Sequence, residues 1–150
     1  MKLAEALLQR SEYQKKIENL QNRILVNIKV QDNDKPLEDP IALIKEALDL
    51  TEQLGELINK INARNNVTLL PDGKTISQAI VERDTLMKQR NILTAVTGKA
   101  HENDYRLTHS EVKMNVVVSV SETQKQIDDL SKKFRELDTQ IQGINWTTDL

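Results

Sequence analysis

The chain has no cysteine and few aromatic residues, with one Trp, two Tyr and one Phe among 150 residues. The lack of cysteine excludes a disulfide framework, a thiolate nucleophile and Cys-ligated zinc, and it makes a reducing cytoplasm the simplest compartment. So few rings cannot fill a core, which must therefore consist mostly of Leu, Ile, Val and Ala. Such a core is typical of helix bundles.

Long hydrophobic runs are also missing. No stretch approaches the run of about 18 apolar residues that a membrane-spanning helix needs, and residues 1–8 are too short and too polar for a secretory signal. We therefore expect a cytoplasmic protein without a membrane partner. A net charge of −2 and the scarcity of rings also count against nucleic-acid binding, which needs a basic stripe and stacking aromatics.

What the chain does have is four blocks of apolar residues with the helical period. We expect four helices at about 2–26, 40–63, 76–97 and 121–144, in a mainly α four-helix bundle with up-down topology and antiparallel neighbours. Residues 1–150 then form a single helical domain. The net charge alternates in sign from block to block, which suits antiparallel neighbours. The last block has the most regular stripe: Val120, Ile127, Leu130, Phe134, Leu137, Ile141 and Ile144.

The first two helices each carry a stripe that we expect to face inward. In helix one its members are Leu3, Ala6, Tyr13, Ile17, Leu20 and Ile24, with Arg10 as a polar exception. In helix two the stripe is broader, with Ile41, Ile44, Ala47, Leu48, Leu50, Leu54, Leu57, Ile58 and Ile61. Gly55 inside this stripe indicates a close helix crossing, because a helical glycine costs about 1 kcal/mol relative to alanine.

Alternation of apolar and polar residues predicts two short strands, at about 26–30 and 112–119. Between the first strand and helix two, Asp39 and Pro40 predict a helix start, with Asp39 as the cap and Pro40 as the first helical residue. We also expect the C-terminal tail, which holds Trp146, to be docked on the bundle.

Two arginines, Arg83 and Arg90, lie one heptad apart on the otherwise apolar stripe of helix three. A buried guanidinium must be paired, so one interpretation is structural, as ion pairs or as stems that carry the charge out to water. The acidic residues of helices two and four considered as partners are Glu52, Glu56, Asp128 and Glu136. The other interpretation is a ligand site, in which the arginines and a row of amides bind an anion at one end of the bundle. That row consists of Asn59, Asn62 and Asn65.

Residues 101–111 contain both histidines of the chain together with several carboxylates. These groups ligate metals or transfer protons, but their spacing matches no known ligand pattern, so a solvated loop and a metal or acid–base site are both open. The candidate metal ligands are His101, Glu102, Asp104 and His109, and a small hydrolytic or metal-dependent enzyme would also use Glu111. We expect no cofactor.

The segments that carry a family resemblance are residues 1–7, 38–40, 58–62, 65, 72–75, 83–86, 105, 110–111, 137–142 and 145–148. Together they resemble a family of small bacterial helical proteins that carries the label septicolysin. The resemblance spans the whole chain and implies a compact helical protein without an established activity. The label suggests a thiol-activated, pore-forming toxin, an interpretation that we reject because the chain has no thiol and no export signal.

The function that the residues support most directly is assembly or interaction. Apolar stripes are buried by helix packing, and enough apolar surface is left that we expect a homo-oligomer, with a different protein as the other candidate partner. The alternative from another class is the enzyme that uses residues 101–111, although we favour a protein without catalytic activity. A third interpretation is an RNA-associated helical arm.

Overall fold

The structure, a computed structural model, describes residues 1–102 and 112–150. It contains four α-helices, α1 (Leu3–Asn27), α2 (Pro40–Val67), α3 (Ile76–Ala100) and α4 (Val120–Thr147). The predicted fold class, a mainly α protein of four packed helices, is confirmed. The last three helices run a few residues beyond their predicted ends.

The helices are distributed over two compact units. The first unit contains Met1–Ile76 and Gln142–Leu150, and the second contains Ser77–Ile141. Thus α1 and α2 belong to the first unit, nearly all of α3 belongs to the second, and α4 contributes residues to both. That residues 1–150 form a single domain stays a prediction.

In the first unit, α1 and α2 pack as antiparallel neighbours. Lys16 of α1 pairs with Glu46 of α2 at 2.8 Å, and Arg23 of α1 pairs with Glu38 in the connection just before α2. Residues 1–31, which carry a net positive charge, thus pair with residues 32–66, which carry a net negative charge. The apolar cluster of this pair consists of Leu20, Leu43 and Leu50, with Tyr13, Ile17, Ile24 and Ala47 packed against it.

The connection between α1 and α2 is held by a buried amide. Asn27 is 7% exposed; its Nδ2 donates to the Arg23 carbonyl at 2.9 Å, and its Oδ1 accepts from the Glu38 amide at 3.0 Å. Directly afterwards, the Asp39 carboxylate accepts from the Ile41 amide at 3.0 Å. The predicted start of α2 is therefore confirmed.

Both predicted strands are wrong. Residues 26 and 27 belong to α1, residues 28–30 form no ladder, and residues 112–119 contain no strand either. Alternation alone misled the prediction, because a strand needs neighbours to pair with. In the described ranges, the β-bridges are isolated ones, Lys2 with Asp149 and Leu69 with Thr75. The second closes a turn in which Gly73 has a φ of 87°, a value that glycine adopts without strain.

The C-terminal tail is docked, as predicted. The Leu3 amide donates to the Thr148 carbonyl at 2.9 Å, the Leu150 amide donates to the Met1 carbonyl at 3.0 Å, and Lys2 pairs with Asp149 at 2.9 Å. Trp146 itself is not covered, because it lies in the last turn of α4 and is 56% exposed. The docking therefore rests on backbone hydrogen bonds and an ion pair.

In the second unit, α4 begins where the Ser119 hydroxyl accepts from the Glu122 amide at 3.2 Å. The predicted stripe of α4 lies on its covered side, with Leu137 and Ile141 buried and Phe134 half-buried. Among the described residues, no helix combines the length and the apolar character that crossing a membrane requires.

Candidate functional site

Helix α2 carries two apolar stripes on different faces. The inner stripe consists of Leu43, Ala47, Leu50, Leu54, Leu57 and Ile61. The outer stripe consists of Ile41, Ile44, Leu48, Thr51, Gly55 and Ile58. Each stripe alternates steps of three and four residues, so each follows one face of the helix for several turns. At about 100° per residue, the two stripes are roughly a third of a turn apart.

The inner stripe is the one that the fold buries. Leu43 and Leu50 belong to the cluster with α1, and Leu57 and Ile61 are 7% and 1% exposed. Leu43 was missing from the predicted stripe. Leu43 lies four residues before Ala47 and seven before Leu50, and this heptad spacing indicates that it belongs to the stripe.

The outer stripe is left open to solvent in its first half. Ile41 is 76% exposed, Leu48 63% and Ile44 39%. The prediction that these three side chains face inward is therefore wrong. Both stripes have the same spacing, and the sequence of α2 does not tell which of them α1 covers.

Gly55 lies on the outer stripe in open space. A Cβ built at this position meets nothing within 4 Å, so the close crossing predicted at Gly55 does not occur in the described part of the chain. The neighbouring Thr51 hydroxyl donates to the Ala47 carbonyl of its own helix at 2.7 Å. Its polar atom is therefore satisfied, and its methyl group is available for apolar packing.

Two exposed charges of opposite sign follow one edge of the outer stripe. Lys45 comes directly after Ile44, and Glu52 comes one heptad later, after Thr51. Positions next to the core of a helix pair are where charges select partners and orientation. The other edge of the stripe is apolar, with Ala47 and Leu54 of the inner stripe.

The structural interpretation fits the two arginines of α3. Arg83 donates from Nη1 to the Asp138 carboxylate of α4 at 3.0 Å and from Nη2 to Asp84 at 3.0 Å. Partial burial alone lowers the pKa of Arg83, but the hydrogen bonds to Asp84 and Asp138 outweigh it and raise the pKa above its usual value. Arg90 lies over the Phe134 ring, 5.3 Å from its centroid. Asp138 was not among the four partners that the sequence suggested.

The predicted anion site has its members in different units. Arg83 and Arg90 belong to the second unit, whereas Asn59, Asn62 and Asn65 belong to the first. Asn59 and Asn62 are exposed on α2, and Asn65 is half-buried. Anion binding by these five residues stays a prediction.

The predicted metal site is described only in part. The His101 Nδ1 lies 2.7 Å from the Thr97 carbonyl oxygen, which accepts a hydrogen bond from it, and the Glu102 carboxylate pairs with Lys99. Asp104, His109 and Glu111 lie outside the described residues. Within residues 1–102 and 112–150, no group of three or more His, Asp or Glu side chains is arranged to hold a metal ion.

These features define a mainly α protein with an antiparallel α1–α2 pair and an exposed apolar stripe on α2. The chain belongs to a family of unknown function (DUF6847), whose model matches residues 10–150. It is also similar to a solved structure described as that of a functionally unknown conserved protein from Corynebacterium diphtheriae. The two chains are 35% identical, the match covers 100% of this chain and 98% of the other, and the TM-score is 0.93.

The comparison with curated proteins found no match. The comparisons confirm a family without an established function, and they do not support the predicted septicolysin label. The names that the comparisons give contain neither the label septicolysin nor an activity.

Proposed function

We propose that the chain works through self-association, with the outer stripe of α2 covered by a second copy. Its role is then assembly or interaction, carried out in the cytoplasm and without a cofactor. The observation that carries this proposal is the exposure of Ile41, Ile44 and Leu48 on one helix face at regular heptad spacing. Single exposed apolar residues are common on protein surfaces, whereas a continuous apolar stripe is typical of an interaction surface.

The exposed area supports a weak dimer. The uncovered parts of the three side chains amount to roughly two whole side chains per copy. At about 1.5–3 kcal/mol for each covered side chain, two copies gain roughly 5–11 kcal/mol. Association costs about 4–15 kcal/mol in lost freedom. At the favourable ends of both ranges the net gain is about 7 kcal/mol, which corresponds to a dissociation constant of about 10 µM. A larger association cost weakens the dimer further, so assembly follows the concentration of the protein.

A second copy is favoured as the occupant because the edge of the stripe is self-complementary. Lys45 and Glu52 are both exposed and carry opposite charges on the same edge. A twofold axis across this face brings each lysine of one copy towards a glutamate of the other. A partner of one charge sign would be attracted by one of these residues and repelled by the other.

Sedimentation velocity over a range of concentrations tests the proposal. We expect the sedimentation coefficient of the wild-type chain to rise with concentration and that of Leu48→Glu to stay at the monomer value. The matched control is Ile92→Glu on α3, since Ile92 is 65% exposed and Leu48 is 63% exposed. The control should associate like the wild type. A wild type that stays monomeric at millimolar concentration, or equal association of all three proteins, contradicts the proposal.

In the part of the chain that the structure describes, no observation favours the enzyme that uses residues 101–111, the RNA-associated arm or a septicolysin-like activity. Metal analysis of protein prepared without chelators, and a salt-dependent mobility shift with bulk RNA, test the first two directly.

A further inference from the structure

We infer that two copies pair through α2 in an antiparallel, twofold-symmetric register that places Ile44 of one copy over Gly55 of the other. This inference rests on the proposed self-association and adds to it an orientation, a register and the residues that fix both. Three properties of the outer stripe lead to it: the order of its large and small residues, the open space at Gly55 and the charges along its edge.

The order of large and small residues favours the antiparallel orientation. In the inferred register, two of the three facing pairs set a large side chain against a small residue, Ile44 against Gly55 and Leu48 against Thr51. The third pair sets Ile41 against Ile58. Helix pairs pack best when large side chains oppose small ones. A parallel pair in register would instead set Gly55 against Gly55 and Thr51 against Thr51, which leaves a void between the helices.

The open space at Gly55 supports a close approach by the second copy. A glycine in an exposed helix destabilises it relative to alanine, and apart from its chain neighbours and the nearby backbone of its own helix, no described atom lies within 4 Å of a Cβ at this position. The missing side chain leaves room for Ile44 of the second copy, which is itself 39% exposed. The close crossing expected at a helical glycine is thus assigned to the contact between copies.

The edge charges select the register. In the inferred pairing, Lys45 of each copy lies opposite Glu52 of the other, and the twofold axis repeats this pair. A shift by one heptad in one direction sets Lys45 opposite Lys45, and a shift in the other sets Glu52 opposite Glu52. Like charges opposite one another disfavour a helix pair. Of these three registers, only the inferred one therefore sets Lys45 of each copy opposite Glu52 of the other.

Disulfide trapping tests this geometry, because the chain has no cysteine of its own. A disulfide requires Cα atoms within about 7 Å. We expect a mixture of full-length Ile41→Cys and Ile58→Cys chains, under mild oxidation, to form the mixed disulfide. Each variant alone should form little, since identical positions lie about 25 Å apart along the axis of the antiparallel pair, at 1.5 Å per residue. Asp49→Cys, exposed on another face of α2, is the control and should stay reduced.

The outcomes separate the inference from the proposed function. Disulfides between two Ile41→Cys chains, formed in preference to the mixed species, indicate a parallel pair and overturn the inference. The absence of any disulfide, while sedimentation still shows dimers, means that another surface associates and also overturns it. A chain that is monomeric at every concentration overturns the proposed function itself.

Charge exchange gives a second test that depends on exposed residues only. Lys45→Glu and Glu52→Lys should each weaken self-association about tenfold, because each variant sets like charges opposite one another twice in the dimer. The double variant, with both substitutions in one chain, should restore wild-type affinity. Equal affinity of all four proteins, or a double variant weaker than either single variant, overturns the register.

Discussion

Two leucines within one turn of α2, Leu48 and Leu50, lie on different faces of the helix. Leu50 is 6% exposed and packs with Leu20 and Leu43 of the α1–α2 cluster, whereas Leu48 is 63% exposed on the outer stripe. Leu50→Ala and Leu48→Ala make the same chemical change in the same helix. Any difference between the two variants therefore reports the difference in burial.

The sizes of the two effects follow from the structure. Truncation of a buried leucine to alanine costs about 2–5 kcal/mol of stability, because less apolar surface is buried and a cavity is left. Leu48 has little more than a third of its surface covered, so its truncation in the monomer removes less than about 1 kcal/mol. Alanine and leucine are both good helix formers, and helix propensity therefore contributes little. The expected gap between the variants is about 2 kcal/mol.

Urea unfolding followed by circular dichroism measures this gap. At submicromolar protein, where association is absent, Leu50→Ala should shift the midpoint strongly and Leu48→Ala only slightly, with similar m values. At high protein concentration, self-association stabilises the wild type by mass action. The urea midpoint of Leu48→Ala should then lie clearly below that of the wild type. Equal losses for both variants at submicromolar protein would refute the assignment of the two stripes.

Three further variants test other parts of the structure. Gly55→Ala should stabilise the dilute protein by about 0.5–1 kcal/mol, because the new methyl group meets nothing within 4 Å and alanine favours the helix; a lower melting temperature in calorimetry counts against this. Asn27→Ala should lower the free energy of unfolding by about 1–3 kcal/mol, as measured by chemical unfolding. The buried side-chain amide forms hydrogen bonds at both ends of the α1–α2 connection, and its loss leaves those groups unpaired. A cost near zero would show that water replaces the amide. Glu38→Gln should flatten the loss of stability in acid: the hydrogen bond from Arg23 lowers the pKa of Glu38 below its ordinary 4.5, so the contribution is complete above that pH and disappears as the pH falls through the lowered pKa. An equal fall in melting temperature for wild type and variant, between neutral and acidic pH, would contradict this.

The helices could be predicted from the sequence because their signals are local. Asp39 followed by Pro40 marks the start of α2, and the structure shows the Asp39 carboxylate in its capping role. The heptad order of Leu130, Phe134, Leu137 and Ile141 likewise places α4 and its covered side. Capping and periodicity act within a few residues of the chain, so the amino-acid order alone contains them.

The strands could not be predicted correctly because pairing is not local. The apolar side chains at 26, 28 and 30 alternate as in a strand, yet each is exposed. The local structure instead depends on Asn27. Its side-chain amide donates a hydrogen bond to the Arg23 carbonyl in α1 and accepts one from the Glu38 backbone amide. Pattern reasoning interpreted this residue as the polar member of an alternation.

The candidate site was beyond sequence reasoning for a related reason. Ile44 and Leu48 of the outer stripe have the same spacing as Leu50 and Leu57 of the inner stripe, and only the position of α1 separates them. The partners of Arg83 were missed in a similar way, since Asp138 comes from α4 and its register against α3 depends on the packing of both helices. The residue types thus indicate which kinds of interaction to expect, whereas the packing of the helices determines which residues make them.

The central claim is that a second copy covers the outer stripe of α2, and isotope-filtered NMR tests it most directly. Chains with labelled methyl groups are mixed with unlabelled chains at a concentration where association occurs. We expect nuclear Overhauser effects from the methyl groups of Leu48 and Ile44 to protons of the unlabelled copy. If these methyl groups show only contacts within their own chain, while sedimentation shows dimers in the same sample, the claim is contradicted.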